Sequence, residues 1–227
     1  MNMQRKIDPA VRAATEQDIH FLAKMDVEAS LPPFGVTFWD GMLEGTGTDT
    51  LTFVETIYRE GASNWGNVSD FIILESDGEP VAACAVFKPE PTPANEGPLD
   101  LDKLDQVAGV LSWSEAGRAS FRAGYDMIWG NDGSFMKPQA DLIVETVAVA
   151  PDHRGKGLGT ALMKAAFARG RALGAESIGV SVIHGNDGAQ ALYEKHFDPY
   201  ASFWAACFDH KFPGLTQYRA SLTSQEA

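Results

Sequence analysis

The residues best suited to chemistry lie between Thr146 and Gly174. An alternating apolar run ends at Pro151, the hexapeptide Arg154-Gly155-Lys156-Gly157-Leu158-Gly159 follows, and helix-like spacing then takes over. The first turn of a helix leaves backbone N–H groups without intrahelical partners, and the macrodipole adds partial positive charge there. Glycines let that backbone approach a ligand closely. The segment therefore reads as an anion site suited to phosphate or pyrophosphate, with Arg154 and Lys156 adding charge. Two nucleotide motifs are excluded. A Walker loop needs Ser or Thr after Gly-Lys, where Gly157 stands, and a dinucleotide fingerprint needs Gly or Ala where Thr160 or Leu162 stands. Taken alone, the glycines fit a ligand-free strand–helix connection equally well.

The elements that must position this loop are legible on both sides of it. A strand is predicted at Leu142–Ala150 and a helix to about Leu173, its apolar stripe formed by Leu158, Ala161, Leu162 and Ala165. A strand at Ser177–Val182 and a helix from about Asp187 to Lys195 follow. Upstream, Val11–Ala14 is a short strand, and Thr15 with Asp18 caps a helix to about Ala29. The stretch "SLPPFGVTFWDG" reads as a loop with exposed aromatics. A second helix runs from Asp49 to Arg59, and Asp77-Gly78 turns a hairpin. Residues 88–138 begin Pro-rich and continue with helical spacing over Leu101–Tyr125, as expected of a lid or flap inserted in one domain spanning 1–227. Strand material is expected again at Phe203–Phe208 and Tyr218–Leu222. The order is that of an α/β or α+β three-layer domain.

Composition narrows the function. The chain has 227 residues, 44% of them hydrophobic and 22% charged, as in ordinary globular proteins. A formal net charge of −13 repels a phosphate backbone, so nucleic acid is not an expected partner. No apolar run has the length of a membrane span and "MNMQRKIDPA" lacks a signal-peptide core, which predicts a cytoplasmic protein with no membrane partner. The two cysteines, Cys84 and Cys207, stand too far apart to suggest a disulfide framework or a CxxC site, and no His/Cys/Asp cluster suggests a metal. Both read as core residues. The expected assembly is a monomer or homodimer.

"VAVAPDHRGKGLGTALM" resembles the acyl-CoA-binding segment of the GNAT superfamily of N-acetyltransferases, whose pattern Arg/Gln-x-x-Gly-x-Gly/Ala is filled by Arg154, Gly157 and Gly159. A second segment, "NDGAQALYEKH", is similar to the family's next helix, with Asn186, Ala189, Leu192 and Tyr193 at its spacing. It departs from the family in passing from His196 straight to Phe197, without the glycine that would form a left-handed cap. The resemblance implies a three-layer α/β/α fold around a mixed, mostly antiparallel sheet. It also implies acetyl-CoA as co-substrate, without a metal.

On this likeness, the backbone of Val147, Ala148 and Val149 bonds the pantetheine arm, and Arg154, Gly155, Lys156, Gly157, Leu158, Gly159 and Thr160 wrap the pyrophosphate. Asn186 either touches the cofactor arm or caps the following helix. Tyr193 stands where the family places a proton donor to the departing thiolate. The N–H of Ala148 or Val149 polarises the carbonyl. Strict alternation puts Glu145 on the same face as Val147 and Val149, where a carboxylate takes the amine proton directly or through water. His184 is a second candidate base. The acidic balance favours a small cationic primary amine as acceptor, with Trp39, Trp65, Trp113 or Trp129 as cation-stacking walls. A protein or peptide N-acetyltransferase and a non-catalytic acyl-CoA-binding regulatory domain are the alternatives.

Overall fold

The computed structural model describes residues 9–89, 97–130, 137–204 and 213–223. Seven strands form one sheet in the order β1-β2-β3-β4-β5-β7-β6. They are β1 (Ala10–Ala13), β2 (Phe71–Ser76), β3 (Glu79–Phe87), β4 (Leu142–Val149), β5 (Ser177–Ile183), β6 (Asp198–Phe203) and β7 (Leu215–Ser221). Neighbours pair antiparallel except β4 and β5, which run parallel. The hairpin between β2 and β3 turns on Asp77 and Gly78 at φ +54° and +83°, the positive values a tight primed turn requires.

Helices cover both faces. On one side, α1 (Ile19–Ser30), α2 (Phe38–Leu43), α3 (Thr50–Arg59), α4 (Leu104–Val110) and α5 (Glu115–Trp129) enclose a core with Phe71, Ile73, Ala83, Ala85, Ile143 and Ala148 of the sheet. On the other, α6 (Leu158–Ala172) and α7 (Asp187–Tyr193) pack over Ile72, Leu74, Cys84, Val144, Ile178 and Val180. Membership of the two cores alternates along Phe71–Leu74 of β2 and Ala82–Phe87 of β3, as the pleat demands. This is the three-layer, mostly antiparallel arrangement expected above. No helix among the described residues is long and apolar enough to cross a membrane.

Three expectations are corrected. The stretch taken as a loop with exposed aromatics contains α2, whose first turn is closed by a capping box between Thr37 and Asp40. Trp39 on that helix is 2% exposed, because its ring packs on Phe53 and Phe121. The penultimate strand lies at Asp198–Phe203 rather than beginning at Phe203, since β6 follows α7 closely; residues 205–212, Cys207 included, fall outside the described ones. Without the family's glycine, α7 ends by tightening: the N–H groups of His196 and Phe197 both donate to the Tyr193 carbonyl.

Candidate active site

The sheet opens where the site forms. β4 and β5 pair only through Leu142–Ile178, Ile143–Gly179 and Val144–Val180, and beyond these the strands part. Directly after the last pair, β4 carries a bulge: Ala85 faces Glu145 but Ala83 faces Ala148, so β4 has one residue more than β3. Thr146 absorbs it at φ +53°, a left-handed conformation that costs a β-branched residue of order 1–3 kcal/mol and clusters at functional sites. The bulge inverts side-chain parity. Val147 and Val149 face α6, whereas Glu145, opposite Ala85, faces α1. Glu145 therefore does not share a face with the two valines; the assumption of unbroken alternation fails at Thr146.

Downstream, a 3-10 turn at Pro151–His153 leads into the glycine loop. Gly155 and Gly157 take φ +73° and +83°, and no atom stands within 4 Å of where a Cβ would be built on either. Gly157 is the N-cap of α6 and offers no side-chain bond, so the first-turn N–H groups point out of a fifteen-residue helix uncapped. That arrangement fits an anion. Gly159 has a different purpose: a Cβ there would meet Leu192 at 3.0 Å, so it lets α6 and α7 touch. Arg154 donates to the Val149 carbonyl (3.1 Å) and pairs with Glu28 of α1 at 2.6 Å, so part of its charge is already neutralised. Lys156 folds back to donate to the Asp152 carbonyl at 2.8 Å. Leu158 is buried under the loop and Thr160 is half-buried. Asn186 accepts from the Ala189 N–H at 3.2 Å, so its side chain caps α7.

Tyr193, at the end of α7, is 5% exposed and packs beside Phe197 and Tyr218. Burial, then the nearby Glu145 and Cys84, raise its phenol well above the ordinary value. It is thus a weaker acid than a solvated tyrosine and keeps its proton throughout the working range. Cys84, in β3, is pushed up to about 12 by burial, an inert core thiol as expected.

Glu145 does not stand alone. Asp26 of α1 lies beside it, and Asp26 Oδ2 accepts from the Tyr58 hydroxyl at 2.7 Å and the Thr146 hydroxyl at 3.4 Å. The Trp39 indole N–H is turned toward the same carboxyl without completing a bond of ordinary length. Burial raises Asp26, against the pull of these donors. Burial and the neighbouring Asp26 push Glu145 up to about 8, against Lys137 and the Thr146 N–H. Neighbouring carboxyls resist ionising together, which adds to burial in keeping the proton on Glu145. Asp26 and Tyr58 escaped the sequence reading, although Asp26 sits three and four residues after Ala23 and Leu22 on the buried stripe of α1. An acid on an apolar helix face was the available signal.

His184 is tied elsewhere. Its Nδ1 bonds the Pro213 carbonyl (3.0 Å) and its Nε2 is within 2.9 Å of Thr216 Oγ1 and 3.2 Å of Ser202 Oγ, so the ring pins β5 to β7 and β6. Of the four tryptophans expected as walls, Trp113 spends its N–H on Thr48 Oγ1 at 2.7 Å and stacks on Phe53, which makes it part of the core instead. Among the described residues no group of His, Cys, Asp and Glu is arranged to hold a metal.

The sequence profile of the acetyltransferase (GNAT) family matches residues 48–198. No curated protein matches the chain. Among solved structures it is similar in fold to yncA of Salmonella typhimurium, described with its cofactor acetyl-CoA: 15% identity, 97% of each chain covered, TM-score 0.50. An N-acetyltransferase of Staphylococcus aureus Mu50 aligns at 14% identity over 95% of this chain and 99% of its own, with TM-score 0.52. SsHAT aligns at 16% identity over 95% and 99%, with TM-score 0.57. The matched residues take in the bulged strand, the glycine loop and the tyrosine of α7, and on that match the chain belongs to the acetyltransferase (GNAT) family.

Proposed function

We propose that the chain transfers the acetyl group of acetyl-CoA directly to the primary amine of a small cationic molecule. The observation that carries this reading is the Asp26–Glu145 pair at the β4 bulge, beside the parted strands. Bound acetyl-CoA supplies an activated thioester. The uncapped N-terminus of α6 suits its pyrophosphate, and the free edge of β4 beyond Val144 suits its pantetheine amides. An amine arrives at neutral pH as an ammonium, which the carboxyl pair attracts. Glu145 then takes the proton directly or through water, leaving a neutral nucleophile. The N–H of Ala148 or Val149 stabilises charge developing on the carbonyl oxygen. As the C–N bond forms and the C–S bond breaks, Tyr193 donates a hydrogen bond to the departing sulfur. The proton that the nitrogen loses on becoming an amide ends on the CoA thiolate, and the proton held by Glu145 returns to solvent.

Thiol release from acetyl-CoA across a panel of amines tests the reading. Small cationic amines turn over, and their kcat/KM falls with rising salt because attraction by partly exposed acids is screened. Turnover of peptide lysines or protein N-termini with none of any small amine overturns the acceptor class. Acetyl-CoA binding without turnover of any amine supports a regulatory domain instead.

The glycine loop carries a separate expectation. Gly157→Val places a β-branched residue at φ +83° and crowds the backbone the pyrophosphate must approach. Acetyl-CoA affinity measured by calorimetry falls at least about tenfold, the equivalent of roughly 1.4 kcal/mol, while circular dichroism still reports a folded chain. Unchanged affinity in a folded variant removes the loop from the site.

A further inference from the structure

The side of the acceptor site facing α2 is aromatic. Phe38 touches Trp39 (ring centroids 4.5 Å apart), Trp65 (6.2 Å) and Trp129 (6.1 Å), and Trp65 meets Trp129 edge-on at 5.4 Å. Two contacts fix this box beside the carboxyl pair. Trp39 is directed at Asp26, and Gly66, next to Trp65, lies against Ala85, the residue paired with Glu145. A Cβ on Gly66 would come within 2.9 Å of the Ala85 Cβ, so only glycine lets the Trp65 segment settle there.

The box is unusual in what it leaves unmade. The indole N–H groups of Trp65 and Trp129 are buried without a hydrogen-bond partner among the described residues, and Trp129 is only 8% exposed. A buried donor left unmade is costly, and two on adjoining rings point to an acceptor supplied from outside. Phe38 and Trp65 are only half-buried and keep ring surface open to a ligand. On the loop between α1 and α2, Phe34 and Val36 are 50% and 58% exposed, which extends the apolar surface outward.

Resting on the acetyl-transfer reading above, we propose that the acceptor is a primary amine carried on an aromatic body that bears an oxygen substituent. Its ammonium lies on Asp26 and Glu145, its ring stacks on the open faces of Phe38 and Trp65, and its oxygen accepts from a box N–H. Polyamines suit the carboxyls but leave the aromatic surface wet and the indoles unpartnered, and amino sugars offer hydroxyls to the indoles but no aromatic face to the rings. A ring bearing an oxygen gains on both counts, since aromatic rings in contact attract beyond the area they bury.

The test compares 4-hydroxyphenylethylamine, phenylethylamine, propylamine, spermidine and glucosamine as acceptors, together with the Trp65→Ala and Trp65→Phe variants. The expected order of kcat/KM is hydroxylated ring, plain ring, then the three ring-free amines at least about tenfold below. In Trp65→Ala the ratio of ring-bearing to ring-free amines collapses toward one. Trp65→Phe keeps the preference for a ring and loses the advantage of the hydroxyl. Spermidine or glucosamine as the best acceptor overturns the proposal, as does a Trp65→Ala variant that lowers every amine in the same proportion. If no amine turns over, the acetyl-transfer reading has failed, and calorimetry with CoA present decides the subsite by itself. Phenylethylamines binding at least tenfold tighter than propylamine uphold it, and equal or absent binding ends it.

Discussion

Glu145→Gln lowers kcat/KM for a small cationic amine by about 10²–10⁴-fold, the range typical of a general base. The substitution preserves size and removes the only atoms that take a proton. A pH profile separates this loss from mere damage. Glu145 must be deprotonated to accept, and its value near 8 means that wild-type kcat/KM rises with pH through about 8. The glutamine variant has no inflection there. Stability moves in the opposite sense. A carboxyl raised above its ordinary 4.5 binds its proton more tightly folded than unfolded. It therefore favours the fold fully below about 4.5 and loses that contribution as pH rises to about 8. Gln imitates the protonated form, so the variant lacks the decline, which amounts to about 2–4 kcal/mol once the solvent still reaching the side chain is discounted. Denaturant titrations at pH 5 and pH 9 measure it. Wild-type turnover in the variant removes Glu145 from the chemistry. A large loss with the inflection retained passes the role of base to Asp26.

Tyr193→Phe lowers kcat by about 10²–10³-fold with little change in the acetyl-CoA dissociation constant. The ring sits between Phe197 and Tyr218 at 6.1 and 6.2 Å, contacts that phenylalanine keeps, so the loss belongs to the hydroxyl. Because burial raises the phenol, Tyr193 stabilises the departing thiolate as a hydrogen-bond donor and keeps its own proton; it is not a group that ionises during turnover. The variant therefore retains the inflection near pH 8 that Glu145→Gln abolishes, and the double variant loses both rate and inflection. A kcat within about twofold of wild type assigns Tyr193 to packing.

The glycine loop and its flanking strand and helix were legible because their signals are local: φ values only glycine takes freely, an uncapped helix start, an apolar stripe. The acceptor side was not, because it is assembled from distant segments. Asp26, Tyr58, Trp39 and Glu145 stand on four elements, and their meeting depends on how α1 and α3 cross the sheet. The parity of Glu145 failed for a subtler reason. A bulge is one extra residue, invisible in an alternating sequence until the partner strand fixes the register. α2 was hidden by the prolines and glycines around it, although Thr37 and Asp40 already spell its cap. His184 illustrates the reverse error: a histidine beside a motif is conspicuous in sequence, yet its bonds are structural.

The parted strands also have a mechanical meaning. Four strands on one side and three on the other are joined along the backbone by only three residue pairs, Leu142–Ile178 to Val144–Val180, so the sheet is two panels on a short seam. On the proposed reading, a ligand lying in the gap along β4 takes the place of the missing rungs and fastens one panel to the other. Loading the protein then closes its own sheet, and the cohesion of the two halves becomes something the cell's supply of that ligand can set.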